Sequence, residues 1–166
     1  MPKLFISIRN LFRVRKMVKS RIKIGSYVML FMGMYTLVIS ILWIFLTEIM
    51  FVSDFAWYTG MTYQEYFATS QRFAEMYIIT KKLIGIMLLV ISILILLINK
   101  KSYQSGEKWS WFALLIAGGV AWGTFIGYKI YIGYIGTSMI TFVIGIALTI
   151  IGLAIPARDI LEQKSI

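Results

Sequence analysis

Four long runs without a charged residue constrain this chain more than any other feature of its sequence. They cover residues 24–47, 83–99, 109–128 and 130–157. At ~1.5 Å per residue, about 20 residues of helix cross the ~30 Å hydrocarbon core of a bilayer. Since 60% of the residues are hydrophobic and only 14% are charged, a soluble fold could not bury the apolar surface. The sequence predicts an all-α integral membrane protein, a four-transmembrane-helix bundle with an N-terminal amphipathic interfacial helix.

The charged residues set the predicted boundaries. In chain order these are a basic cytoplasmic tail (1–23), a first span (24–48), an extracellular aromatic-rich segment with a helix from about residue 63 (49–82), three further spans (83–99, 109–129 and 137–156) and a cytoplasmic tail (157–166). The second span is the shortest. Its helix is therefore expected to begin earlier, near Tyr77, with Lys81 and Lys82 extending their ammonium groups outward.

The distribution of basic residues predicts the orientation. If the N-terminus is inside, 13 of the 17 Lys and Arg residues fall on the cytoplasmic side and four on the outer side. Cytoplasmic loops of membrane proteins carry an excess of basic residues. The chain is therefore expected to be a multi-pass protein of the cell membrane with both termini in the cytoplasm. The same distribution argues against nucleic acid as the reason for the net charge of +10.

The N-terminal tail has the pattern of a basic amphipathic helix. Leu4, Ile8 and Leu11 recur on one face, Arg9 and Arg13 lie opposite, and no acidic residue precedes the first span. Such a helix lies in the membrane interface and attracts anionic lipid. Two interpretations remain open, a simple topology anchor and a docking segment for a partner subunit.

The external segment combines aromatic residues with a helix-start signal. Thr59-Gly60 predicts a turn, and Thr62 with Glu65 matches a capping box, so a helix is expected from Tyr63. This helix either continues into the second span or breaks near Ser70. The aromatic residues are typical of an interfacial belt, with a lid over an external ligand pocket as the alternative. The acidic residues on this side are expected to form solvated ion pairs; they are Glu48, Asp54, Glu65 and Glu75.

Small residues in the last two spans predict helix packing. The predicted packing positions recur at four- and seven-residue intervals; they are Gly119, Gly123, Gly127, Gly145 and Gly152. The last two spans are expected to form a hairpin packed through these faces, and the alternative is a face reserved for another copy or subunit. The predicted interfacial anchors are aromatic residues near span ends, namely Trp109, Trp111, Tyr128 and Tyr131.

The chain lacks the side chains that most often perform catalysis. It has no histidine and no cysteine, and no charged residue lies inside a predicted span. Lys129 and Glu48 lie near the outer interface, where they either pair or reach water. We therefore predict no catalytic residue, no cofactor site and no metal site. A Cu(I) site at Met29, Met32 and Met34 is the alternative to ordinary methionine packing.

A short motif precedes the third span. Gly106-Glu107-Lys108-Trp109-Ser110-Trp111 resembles the G-E-[KR]-W-x-W motif of an uncharacterised group of small four-span prokaryotic membrane proteins. The layout of one span, an external aromatic segment and three closely spaced spans is also similar to that group. The resemblance implies a four-span architecture and brings no activity with it.

Three functional hypotheses follow. The first is a non-catalytic accessory or structural subunit of a larger membrane complex, with other membrane subunits as partners. The second is a small homo-oligomeric channel or transporter, which should place polar residues along one axis. The third is an integral membrane enzyme. An uncovered apolar face that carries glycine would favour the first.

Overall fold

The computed structural model describes residues 2–133 and 135–162, and for residues 2–18, 50–52 and 137 it describes the backbone alone. Every element within this part of the chain is a helix. The helices are α1 (Pro2–Phe45), α2 (Thr47–Thr59), α3 (Tyr63–Thr69), α4 (Gln71–Ile98), a π-helical turn (Asn99–Tyr103), α5 (Lys108–Tyr131), α6 (Thr137–Ala154) and α7 (Ala157–Leu161).

Three of these helices have the length and composition of membrane spans. The stretches concerned are Lys19–Phe45, Gln71–Tyr103 and Lys108–Tyr131. The fourth apolar stretch, Ser138–Ala154, is shorter. The predicted all-helical class, with helices long and apolar enough to cross a membrane, is confirmed, and the fourth crossing stays a prediction.

The helix ends differ from the predicted boundaries. The tail and the first span form one uninterrupted helix, α1, with no break near residue 23. The predicted amphipathic character of the tail depends on the side chains of residues 2–18, which lie outside the described part of the structure. The helix that contains the predicted second span, α4, begins at Gln71, directly after Ser70 and six residues before Tyr77.

Two short helices, α2 and α3, form the segment between α1 and α4. Gly60 ends α2 with a positive φ of 72°, a conformation that glycine adopts without strain. Thr62 Oγ1 then accepts a hydrogen bond from the Glu65 amide, and the Thr62 amide donates to Glu65 Oε2 at 2.8 Å. The hydrogen bonds that Thr62 gives to the Glu65 carboxylate, from its backbone amide first and then from its side chain, lower the pKa of Glu65. At Ser70 the backbone leaves the helical region, which separates α3 from α4.

Helix α1 packs between α4 and α6, and α5 packs mainly against α6. Each contact includes glycines at which the helices approach closely. A Cβ added at Gly33 would lie 2.7 Å from Leu96, one at Gly152 would lie 2.7 Å from Met29 Sδ, and one at Gly118 would lie 2.7 Å from Thr149. In lipid, where apolar surface alone gives little preference for a neighbouring helix, such close contacts hold helices together.

Three of the predicted packing glycines, Gly119, Gly123 and Gly127, do not pack against another helix within the described part of the chain. An added Cβ at Gly119, Gly123 or Gly127 would meet no described atom within 4 Å. The neighbouring Gly118 instead faces α6. The reason is the register of α5: a helix advances about 100° per residue, so Gly118 and Trp122 share the α6 face and the three other glycines lie on a different one.

Polar contacts tie the helices together at the end of the bundle that carries α7. Ser26 Oγ donates to Asn99 Oδ1, and Asn99 Nδ2 returns a hydrogen bond to the Ser26 carbonyl, both at 3.0 Å. Tyr103 Oη donates to the Gly152 carbonyl at 2.7 Å. The π-helical turn brings Asn99 and Tyr103 into this buried position, so α1, α4 and α6 are fixed in register there.

The α5–α6 contact gives a first prediction. A Cβ on Gly145 would overlap the buried Trp122 indole, so Gly145→Ala should lower the free energy of unfolding by about 1–3 kcal/mol. The measurement is the thermal unfolding midpoint of the purified chain in mild detergent. Gly123→Ala is the matched control, since a methyl group there meets open space. Equal midpoints for the two variants would contradict the observed helix contact.

Candidate functional site

A buried ion pair lies at the end of the bundle that carries α2. Lys129 in the last turn of α5 donates a hydrogen bond from Nζ to Asp54 Oδ1 on α2. Both side chains are 1% exposed. Because removing two charges from water costs several kcal/mol per ion, such a pair forms only where the geometry returns that energy. The pair therefore fastens α2 across the ends of the longer helices.

A second lysine lies beside the pair. Lys81 on α4 is 8% exposed, and its Nζ donates to Tyr128 Oη at 3.2 Å and lies 4.5 Å from the centroid of the same ring. The Tyr77 ring is 5.3 Å from that ammonium group. Lys81 also interacts electrostatically with Asp54 and Lys129. We call Asp54, Lys81 and Lys129 the charge cluster.

The charge cluster borders a cavity of about 160 Å³. Its other walls are mostly aromatic and come from four helices; they are Trp43, Ile84, Thr124, Phe125, Tyr128 and Phe142. Phe125 and Phe142 stack with centroids 5.2 Å apart, and Trp43 meets Phe125 edge to face at 4.9 Å. These ring contacts stabilise the packing of the cavity wall.

Two polar atoms at this end of the bundle have no hydrogen-bond partner among the described residues. These two buried atoms are Asp54 Oδ2 and Tyr77 Oη. Asp54 is part of the cavity wall. A buried carboxylate oxygen without a donor is costly, because it has lost the hydrogen bonds that water would give it. The cavity is therefore lined by a residue whose carboxylate has one oxygen without a hydrogen-bond donor.

The charge cluster places one carboxylate and two ammonium groups beside the cavity. The charge cluster contains no hydroxyl or thiol nucleophile paired with a base. Among the described residues, no group of three acidic side chains could hold a metal ion. Met29 and Met32 are buried in the core, where Met29 packs against Gly152 and Met32 Sδ accepts from Thr36, whereas Met34 is exposed. The three methionines do not converge on one point.

Three sequence expectations about charged residues are wrong. Lys81 was expected to extend its ammonium group outward, but it is buried. Lys129 was expected to reach water or pair with Glu48, but it binds Asp54. Asp54 was expected in a solvated ion pair, but its pair with Lys129 is buried. Glu48 and Lys82 are exposed. Lys81 lies within the apolar stretch Gln71–Tyr103, so an ionisable residue does occur inside a candidate span.

A periodic signal in the sequence marks the two buried lysines. Buried residues of α4 recur every three or four positions; they are Ala74, Ile78, Lys81, Gly85, Leu88, Ser92 and Ile95. On α5 the corresponding series is Ser110, Leu114, Gly118, Trp122 and Lys129. Each lysine continues a series of small or apolar residues that faces the core. Asp54 has no comparable signal, because its position depends on how α2 folds back.

The predicted anchors fall into two groups. Trp109 and Tyr131 are exposed, 54% and 85% respectively, and Trp109 Nε1 donates to the Glu107 carboxylate. Trp111 is half-buried and donates to the Leu153 carbonyl at 3.0 Å, so it links α5 to α6. Tyr128 contacts the charge cluster, because its Oη accepts a hydrogen bond from Lys81. Of the predicted packing glycines, Gly145 and Gly152 lie in helix contacts, and Gly119, Gly123 and Gly127 do not.

Comparison with known proteins gives no match: no family model, curated protein or solved structure matches this chain. The resemblance based on residues 106–111 therefore stays a prediction.

The buried pair gives a second prediction. Asp54→Leu and Lys129→Met should each lower the free energy of unfolding by about 3–5 kcal/mol, because each leaves one buried charge without its partner. The double variant should recover most of that loss. The measurement is a double-mutant cycle from thermal or denaturant unfolding in detergent.

The exposed pair Arg158–Glu162 serves as the control for that cycle. Glu162→Gln should change stability by less than about 1 kcal/mol, since exposed pairs contribute little. Additive losses for Asp54→Leu and Lys129→Met would show that the two side chains do not act as a pair.

Proposed function

We propose that this chain is a non-catalytic integral membrane protein that serves as an accessory or structural subunit of a larger membrane complex. The observation that carries the proposal is the uncovered glycine face of α5, formed by Gly119, Gly123 and Gly127. Glycines four residues apart form a flat strip on which a second helix can pack at short distance. The glycines at the other close helix contacts are covered by neighbouring helices of the chain. The glycine strip of α5 is uncovered, so a partner helix can pack on it.

The position of the strip on α5 supports a partner from outside the chain. The face that meets α6 carries Gly118 and Trp122. The glycine face lies roughly 100° around the helix from Trp122, by the helical advance per residue. Bulky neighbours on the same side are exposed, including Ile116 and Val120. A partner helix would therefore contact a small central strip between large apolar residues.

We further propose four membrane crossings with both termini in the cytoplasm. Helix α6, with 18 residues, would span ~27 Å at the usual helical rise, close to the bilayer core. Of the four basic residues assigned to the outer side, Lys81 and Lys129 are buried and only Arg72 and Lys82 are exposed. This burial strengthens the charge asymmetry. The resemblance to small four-span prokaryotic membrane proteins agrees with this layout.

The tail would bind anionic lipid, and cofactors would belong to the partner subunits rather than to this chain. The alternative, a small homo-oligomeric channel or transporter, needs polar side chains along an axis through the helices. The charge cluster instead lies at one end and is enclosed by aromatic rings. An enzyme would need a reactive group that the cluster does not supply.

The glycine face gives a third prediction. Gly123→Leu should reduce recovery of the co-purifying membrane subunit at least tenfold in mild detergent, because a bulky side chain separates the helices. A tenfold change corresponds to about 1.4 kcal/mol. The unfolding midpoint of the isolated chain should stay unchanged, since position 123 meets open space.

Ala154→Leu on α6 is the control for a larger exposed side chain elsewhere. Full recovery of the partner with Gly123→Leu would contradict the subunit proposal. A photocrosslinker at position 123 that captured only a second copy of this chain would instead favour the homo-oligomeric alternative.

The topology gives a fourth prediction. The chain has no cysteine, so single cysteines at Ser70 and Ser105 can be labelled without background. An impermeant maleimide should label Ser70→Cys in intact cells and Ser105→Cys only after the membrane is opened. Labelling of both positions from one side would contradict the proposed crossings.

A further inference from the structure

We propose that the cavity beside the charge cluster and an apolar groove next to it form one binding site for a single-chain amphiphile with a small, neutral, hydroxyl-bearing head. The head would occupy the cavity and the hydrocarbon tail would lie in the groove. This site borders the glycine face, since Ile116 and Val120 flank the glycines and also line the groove. It does not depend on the proposed subunit role.

The groove lies between α4 and α5, the pair of neighbouring long helices that contact each other least. Its volume is about 420 Å³, and apart from Thr124 its walls are apolar; they are Ile84, Met87, Leu88, Ile91, Ile116, Ala117, Val120, Ala121, Thr124 and Phe125. Both helices are candidate spans, so the groove would open toward lipid tails. A hydrocarbon chain matches these walls.

The groove and the cavity share part of their walls. Ile84, Thr124 and Phe125 line both. The groove and the cavity are therefore adjacent. This adjacency favours one elongated occupant, with an apolar part in the groove and a polar part in the cavity, over two unrelated ligands.

The polar end of the site defines the head group. Asp54 is 2% exposed, and its Oδ2 has no hydrogen-bond donor among the described residues. A hydroxyl group can donate to that oxygen and can accept a hydrogen bond from a neighbouring ammonium group such as that of Lys81. The cavity volume of about 160 Å³ is close to that of an apolar protein cavity known to hold benzene, ~150 Å³. The head is therefore no larger than one six-membered ring.

The charges of the cluster disfavour an ionised head. An ammonium head would lie against Lys81 and Lys129. A carboxylate head would be attracted by these lysines, but it would lie against the buried Asp54 carboxylate and has no hydrogen to donate to Asp54 Oδ2. Like charges at such distances are strongly unfavourable in a low-dielectric environment. A neutral hydroxyl avoids both conflicts and provides the missing donor. The aromatic walls, including Trp43 and Phe142, provide apolar contact for a ring.

The experiment compares three probes on the full chain in lipid nanodiscs. They are para-octylphenol, para-octylanisole, which lacks the O–H donor, and para-octylbenzoate, which carries a negative charge. The phenol is neutral near pH 7 because phenolic hydroxyls titrate near pH ~10. Binding is measured from the fluorescence of the tryptophans and by native mass spectrometry. The phenol should bind about tenfold more tightly than the anisole, since only it satisfies Asp54 Oδ2.

A matched pair of variants tests the groove. Val120→Trp fills the groove on α5, whereas Val143→Trp places the same side chain on an exposed position of α6 that lines neither space. The first should weaken phenol binding at least tenfold, and the second should leave it unchanged. Neither residue belongs to the charge cluster, so both variants should fold.

Asp54→Asn tests the head contact, because it keeps the side-chain size and removes the charge. This variant should reduce the preference for the phenol over the anisole to less than threefold. If it fails to fold, Thr124→Leu, which enlarges a side chain that lines both the groove and the cavity, should weaken binding of the phenol at least tenfold. Equal affinities for phenol and anisole, tightest binding of the benzoate, or no effect of Val120→Trp would each overturn the proposal.

Discussion

Close approach of helices at glycine positions determines this structure. Helix α1 can lie against both α4 and α6 because Gly33 and Gly152 leave room for the side chains of Leu96 and Met29. The α5–α6 contact depends in the same way on Gly118 and Gly145. In a bilayer the hydrophobic effect does not select which helices meet, so shape at these positions decides the arrangement. The loosest contact between neighbouring long helices, α4 with α5, is the one that leaves a groove.

Polar contacts stabilise the two ends of the bundle in different ways. At the end with α7, Ser26, Asn99 and Tyr103 form neutral hydrogen bonds that satisfy buried polar groups. At the other end, the Asp54–Lys129 pair holds α2 over the long helices. The ion pair satisfies only one of the two carboxylate oxygens of Asp54. One carboxylate oxygen stays unsatisfied beside a cavity, and this is where the structure is best suited to bind something.

Three faces of α5 carry three different roles. One packs inside the chain through Gly118 and Trp122, one presents the free glycines, and one lines the groove with Val120 and Thr124. A partner helix on the glycine face would contact Ile116 and Val120, which also line the groove. Binding of a partner and binding of an amphiphile can therefore influence each other through these shared residues.

The sequence by itself determined the class of protein, because long apolar runs have one solution in a bilayer, a helix that satisfies its own backbone. Local signals were also readable: Thr62 and Glu65 mark the start of α3, since a capping box needs only neighbouring residues. The tertiary structure alone decided which glycines pack, because Gly118 and Gly119 differ only in the direction they face. It also decided that Asp54 meets Lys129, since that contact joins residues far apart in the chain through the fold of α2. The local sequence pattern determines the individual helices, whereas the candidate site forms where five helices meet.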